Sequence, residues 1–207
     1  LSHLEMISAM VRAIRRAGLP IKYSQGFHPM PKISFASTLP VGMESLDETM
    51  YIELDDTGGA LDPGDIAERL NATLPEGLKF SGGSVIPLKL SHPSAMMTEY
   101  MLFLKGNPAG LDIDINGIDG IIRDFKDRDT IVVGIKKKDK VQDIDIKPFV
   151  AALSHAGDMA VGLTLRSGDG GVAPRPSDVV ACLFNLSRDA SSLIPITKTR
   201  AVYKTPI

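Results

Sequence analysis

Residues 23 to 45 hold the densest group of side chains able to do chemistry: Tyr23, Gln25, Phe27, His28, Lys32 and Ser34, set among Gly26, Gly42, Pro29, Pro31 and Pro40. Aromatic faces stack on bases, an amide reads polar edges, and cations hold phosphates. Arg12, Arg15 and Arg16 lie just upstream and add to that mixture. The chemistry implied is binding of RNA or another polar substrate, against the plainer reading of a rigid turn beside a solvated basic helix face. A second reading uses His3, Glu5, His28 and Glu44 as a His/carboxylate set for a metal ion or for catalysis. These four are far apart in sequence, so spacing alone does not assemble them. Ser2-His-Leu-Glu5 also has the S-x-x-E pattern of a helix capping box, which occupies Glu5 without any catalysis. Capping is the preferred reading there.

The elements that must position these groups follow from backbone chemistry. Glycine admits backbone angles that other residues avoid, and proline fixes φ and removes a donor. His28, Met30 and Leu39 each precede a proline and are pushed toward extended geometry. The segment therefore reads as a stiff, non-helical ribbon. Ahead of it, Leu4, Ile7, Val11 and Ile14 fall on one helical stripe, and Gly18 with Pro20 stops the helix, giving a helix over 3–17.

The remaining pattern is mixed. Ile33 and Phe35, then Met50, Ile52 and Leu54, alternate as two strands of a hairpin whose connection includes the loop Gly42–Asp47. Asp62-Pro63 opens a helix with Ile66, Leu70 and Leu74 as its buried row. Residues 78–87 read as a strand interrupted by Gly82-Gly83. Residues 88–97 read as a linker. Beyond it come a strand at 100–104, a helix behind Asp114 on Ile115, Ile118, Ile122 and Phe125, and strands at 131–135 and 141–146. A strand at 159–165, a helix from Arg175-Pro176 and a strand at 196–203 complete the chain. The order is βαββαβ twice, with the first strand of the first repeat missing. It implies an α+β protein of two ferredoxin-like sandwiches in tandem, spanning 1–90 and 98–207.

Composition narrows the function classes. At 207 residues the chain suits one large domain or two small ones. Its 43% apolar and 23% charged content is that of a globular protein. A single cysteine, Cys182, excludes an internal disulfide and any multi-thiolate metal site, so a four-iron cluster held by three or four cysteines cannot be built from this chain alone. On an apolar helix face it reads as a packed thiol. A net charge of −2 supplies no global attraction to DNA, RNA or an anionic membrane. No apolar run approaches the roughly 18 residues of a membrane span. A cytoplasmic setting is expected. The basic run Lys136, Lys137, Lys138 and Lys140 reads as a solvated strand end, because Asp139, Asp143 and Asp145 blunt it. Gly168-Asp-Gly-Gly171 lacks the Lys-Ser/Thr ending of a phosphate loop.

Four segments, Leu1-Ser-His-Leu-Glu5, Arg15-Arg-Ala-Gly-Leu-Pro20, Tyr23-Ser-Gln-Gly-Phe-His-Pro-Met-Pro-Lys-Ile-Ser-Phe35 and Leu39-Pro-Val-Gly-Met-Glu-Ser45, carry a resemblance. Weaker echoes follow at Asp145-Ile-Lys-Pro148, Arg175-Pro176 and Thr199-Arg-Ala-Val-Tyr203. Together they resemble the radical-SAM-linked domain of unknown function family (domain of unknown function 2344) of bacteria. Its members occur beside, or fused to, radical-SAM proteins with a cobalamin-binding-type domain, and some lie next to ribonuclease E/G-type proteins. The resemblance implies a partner of that kind, with the iron–sulfur cluster and S-adenosylmethionine expected only in the partner. No reaction is implied for the chain itself. The family's His-Leu-Asp is His3-Leu4-Glu5 here, and the strand expected before Ser2 is absent, so the true N-terminus is expected upstream.

Overall fold

The computed structural model describes residues 2–55, 61–87, 95–105, 113, 116–137, 140–157, 159–168 and 173–203, with 136, 137 and 140 described by backbone alone. Asp114, Ile115, Lys138, Asp139, residues 88–94 and residues 169–171 lie outside that set. The described chain mixes helices with several sheets. It packs as two units. The first takes Leu1–Val41, Glu48–Pro93 and Pro206–Ile207, the second Gly42–Asp47 and Ser94–Thr205.

The first unit opens with α1 (His3–Arg16), where the capping box forms as expected. The Glu5 N–H donates to Ser2 Oγ, and the Ser2 N–H donates to Glu5 Oε2 at 2.7 Å. The stripe is placed differently from the sequence reading. Met10, Ala13 and Ile14 are buried, whereas Leu4 is 75% exposed. Strands β1 (Ile33–Phe35) and β3 (Met50–Ile52) pair antiparallel, with Ile33 opposite Ile52 and Phe35 opposite Met50. Helix α2 (Pro63–Asn71) is capped by Asp62, whose carboxylate accepts from the Gly64 and Asp65 N–H groups. Ile14, Leu19 and Leu70 form the buried centre, with Ile21, Ile33, Ile52, Leu54, Ile66 and Phe80 packed around it.

The expected strand at 78–87 does not form. Residues 81–87 are all exposed, and Phe80 is held by a side-chain amide instead of a strand: Asn71 exchanges hydrogen bonds with its N–H and C=O, at 2.8 and 2.9 Å. Gly82-Gly83 adds a backbone-entropy cost that no neighbouring strand offsets.

The second unit is built on one sheet in the order β2-β9-β4-β8-β7. Its members are β2 (Glu44–Ser45), β4 (Ala95–Phe103), β7 (Val150–His155), β8 (Ala160–Arg166) and β9 (Ile196–Tyr203). Strands β9, β4, β8 and β7 are antiparallel to their neighbours, and β2 joins β9 in parallel. Helix α3 (Ile118–Asp127) falls between β4 and β7 in sequence, and α4 (Pro176–Leu183) between β8 and β9. The hairpin of β5 (Val132–Lys137) and β6 (Lys140–Asp145) is a separate two-stranded sheet, and a short α5 (Arg188–Ser191) follows α4. Leu102, Val161, Leu163 and Ile196 bury one sheet face against Ile118, Ile122, Phe125, Val179 and Val180.

Three local readings are corrected. The stretch taken as linker to residue 97 becomes strand from Ala95. The loop Gly42–Asp47 contains β2, held by bonds from the Leu46 N–H to the Lys198 carbonyl and from the Ala201 N–H to Asp47 Oδ2. Strand β7 was not foreseen, because an edge strand with only Leu153 buried shows no alternation to read.

Candidate functional site

Residues 23–31 of the ribbon form a hairpin in the first unit, whereas its last residues, from Gly42, belong to the second unit. Tyr23 and Pro31 pair at its base, and the Lys32 N–H donates to the Lys22 carbonyl at 2.8 Å. The Ser24 N–H donates to the Met30 carbonyl at 2.8 Å, and the Met30 N–H donates to Ser24 Oγ at 2.9 Å. Gly26 takes φ 128°, which an L side chain rarely adopts, while a Cβ there would meet nothing within 4 Å. The glycine serves the turn, not a close contact. Backbone bonds and one serine hydroxyl hold the loop. Gln25, Phe27 and His28 are exposed at its tip, and Phe27 is wholly so. Among the described residues no hydrogen bond or ion pair engages Gln25 or His28. These side chains play no part in folding the loop.

Below the base, Arg12, Arg15 and Arg16 stand at i, i+3 and i+4, one helical face near the negative end of the α1 dipole. Arg15 Nε donates to the Tyr23 hydroxyl at 3.0 Å, with its guanidinium 5.8 Å from the ring centroid. That contact ties α1 to the hairpin. Arg12 and Arg16 are exposed and, among the described residues, have no ion-pair or hydrogen-bond partner. Lys32 is different, because its ammonium pairs with Glu53 Oε2 at 2.8 Å across the strands. Sequence reasoning missed Arg69. Its guanidinium donates to the Ala17 and Gly18 carbonyls and so caps the end of α1, a contact between residues some fifty positions apart that no local pattern encodes.

The His/carboxylate set is not assembled as a metal centre. His3 packs edge-on to Phe35, with ring centroids 5.5 Å apart, and Glu5 is spent on the cap. Glu44 lies in the second unit, where its carboxylate accepts from the Thr197 hydroxyl at 3.3 Å. Among the described residues no three His, Cys, Asp or Glu side chains gather as a metal-binding group.

The match to known families now has a structural frame. Residues 1–174 match a family described as an uncharacterised protein conserved in bacteria (DUF2344). The chain belongs to this family. No curated protein matches it. Among the described residues no helix is long and apolar enough to cross a membrane.

In this DUF2344 chain the Asp145-Ile-Lys-Pro148 segment has a structural role. Asp145 Oδ1 accepts from the Ile131 and Lys147 N–H groups, at 2.9 and 3.0 Å. Lys147 Nζ donates to the carbonyls of Phe125, Lys126 and Arg128 and so caps α3. Arg166 donates to the Pro148 carbonyl. Asp178, at the start of α4, accepts from the Arg175 N–H and pairs with Arg188, which also donates to the Gly134 carbonyl. Cys182 packs against the core, and burial first, then the Asp178 carboxylate, push its thiol pKa up, against a smaller pull from Arg128. A thiol raised in this way is a poor nucleophile.

The cap that starts α1 titrates. Hydrogen bonds from the Ser2 backbone, then from its side chain, hold Glu5 below the usual carboxylate range. A lowered folded pKa contributes stability above the unfolded value, and that contribution disappears as pH falls through the folded one. Amide-exchange protection at the start of α1 is expected to be constant near neutrality and to fall in acid below the ordinary carboxylate range. Glu5→Gln, which can still cap, should remove that dependence. A wild-type profile flat to strong acid would show that the cap carries no charge-dependent stability.

Proposed function

We propose that this chain is a non-catalytic recognition module that presents RNA, or a comparable polar substrate, to a radical-SAM partner with a cobalamin-binding-type domain. The single supporting observation is the hairpin itself. Its fold is held by backbone bonds and Ser24, leaving a wholly exposed Phe27 beside Gln25 and His28, and its base is bonded to an arginine face. Stacking on an exposed aromatic together with uncommitted arginines is the usual physics of single-strand binding. The partner, with the iron–sulfur cluster and S-adenosylmethionine, belongs to this proposal through the radical-SAM-linked resemblance, and a cytoplasmic location is proposed from the single cysteine. No catalytic role is proposed for His3, Glu5, His28 or Glu44. For the second unit we also propose a ferredoxin-like fold, supported by the order β9-β4-β8-β7 and its two helical crossovers. The matching reading of the first unit finds less support, because residues 78–87 form no strand.

Gel-shift titration of single-stranded RNA over a salt series tests the module. The Arg12→Glu/Arg16→Glu variant is expected to lose at least about 25-fold in affinity near 0.1 M salt, since each lost phosphate contact on a single strand is worth about fivefold there. Equal binding by variant and wild type would overturn the reading. A specific observation favours a second reading, a protein–protein adaptor: Phe27, Met30 and Val41 are large apolar residues left exposed in the first unit. Co-purification with the radical-SAM protein that persists after nuclease treatment and is lost on Phe27→Ala/Met30→Ala would select it.

A further inference from the structure

We infer that the ligand of this surface is an oligonucleotide several residues long, with Arg12 and Arg16 on its phosphates and Phe27 under one of its bases, and that Arg15 is a positioning residue acting only through Tyr23. The inference rests on the recognition reading above and deepens it.

Four of the candidate cations are not equivalent once their partners are known. Lys32 is neutralised by Glu53 at 2.8 Å. Arg15 commits its Nε–H to the Tyr23 hydroxyl, which holds the guanidinium beside that ring and ties it to the hairpin. That leaves Arg12 and Arg16, exposed and without partners among the described residues. They lie one helical turn apart, with an axial separation of about 6 Å, and so can meet neighbouring phosphates of one strand.

Length follows from the hairpin. Tyr23 and Pro31 pair at the base, so Phe27, midway between them in sequence, is the point of the loop furthest along the chain from it. Four residues reach at most about 13 Å. Arg15 fixes Tyr23, and with it the base, to the helix that carries Arg12 and Arg16. A ligand that places neighbouring phosphates on Arg12 and Arg16 and a base on Phe27 therefore has more than one nucleotide. A mononucleotide would satisfy one end only. The contact between Arg15 and Tyr23 sets the angle and distance between those two ends, which is why its loss should weaken binding without removing a phosphate contact.

The test uses the whole chain, with uridine monophosphate and oligouridylates of two, four and eight nucleotides as probes. Affinity should be negligible for the monophosphate, climb steeply to about four nucleotides and then level off. Phe27→Ala should weaken the eight-nucleotide RNA by about 5- to 150-fold at an unchanged salt slope. Arg12→Ala and Arg16→Ala should each lower the slope of log affinity against log salt by about 0.7. Arg15→Gln, a neutral donor able to bond the Tyr23 hydroxyl, should leave that slope unchanged. Arg15→Ala and Tyr23→Phe should both reduce amide-exchange protection at Ser24 and Met30 in the absence of RNA. Monophosphate binding as tight as the octamer's, or an Arg15→Gln slope change equal to that of Arg12→Ala, would overturn this inference while leaving RNA recognition standing. Failure of wild-type chain to bind any of these RNAs would instead sink the recognition reading beneath it.

Discussion

Truncating Ile14 to alanine is expected to cost about 2–5 kcal/mol and to loosen the elements that hold the candidate site. Ile14 is fully buried and, among the described residues, shares its buried centre with Leu19 and Leu70. The residues packed around it come from the helices and strands of the whole unit, so a cavity here is felt by all of them. Small domains are only marginally stable, so such a loss is a large share of what holds the first unit folded. Ile21, Ile33 and Ile52 rest on the same centre. These residues lie in or beside the strands that fix the hairpin base, where Lys22, Lys32 and Glu53 exchange backbone bonds. Hydrogen exchange read peptide by peptide should show loss of protection across 10–35 and 50–54, together with a lower urea midpoint. The conservative Ile14→Val should lose only about 0.5–1.5 kcal/mol and keep the hairpin protected. Equal protection in Ile14→Ala and wild type would show that the hairpin does not depend on this core.

That dependence explains what could be read in the sequence. Helix α1 was legible because its start is chemical, Ser2 with Glu5, and its stop is Gly18 before Pro20. The hairpin loop was legible because Gly26 and three prolines leave the backbone few choices. The partners of its side chains were not. Whether Lys32 is a free cation depends on Glu53 lying across from it, a register set by how β1 and β3 pair. Arg15 looks equivalent to Arg12 and Arg16 in a one-dimensional pattern, and only the path of the chain back past α1 gives it Tyr23. His3 likewise packs on Phe35, a neighbour that sequence order does not show. Strand β2 was hidden more deeply. Two residues carry no periodicity, and their strand character comes from the Lys198 and Ala201 backbone groups of β9, about 150 positions away.

Replacing Phe125 with alanine is expected to be the most damaging single change in the second unit, at about 3–5 kcal/mol. Phe125 is 1% exposed and lies in the main core with Ile118 and Ile122 on the inner face of α3. Its environment also has a polar side. The Lys147 ammonium sits 5.9 Å from the ring centroid while donating to carbonyls at the end of α3. Phe125→Leu, which keeps much of the volume, should recover most of the stability, separating packing from the ring's own electrostatics. Lys147→Met removes the cap and the cation together and should cost about 1–3 kcal/mol, because the carbonyls at the helix end lose their donor. If the ring and the ammonium interact, the double variant will be less damaging than the sum of the singles by about 0.5–1 kcal/mol. Strict additivity in urea melts would reduce the role of Lys147 to capping alone. A Phe125→Ala loss below about 1 kcal/mol would mean that α3 is not held by this core at all, and the assignment of Asp145 and Lys147 as the parts that lock it in place would fail with it.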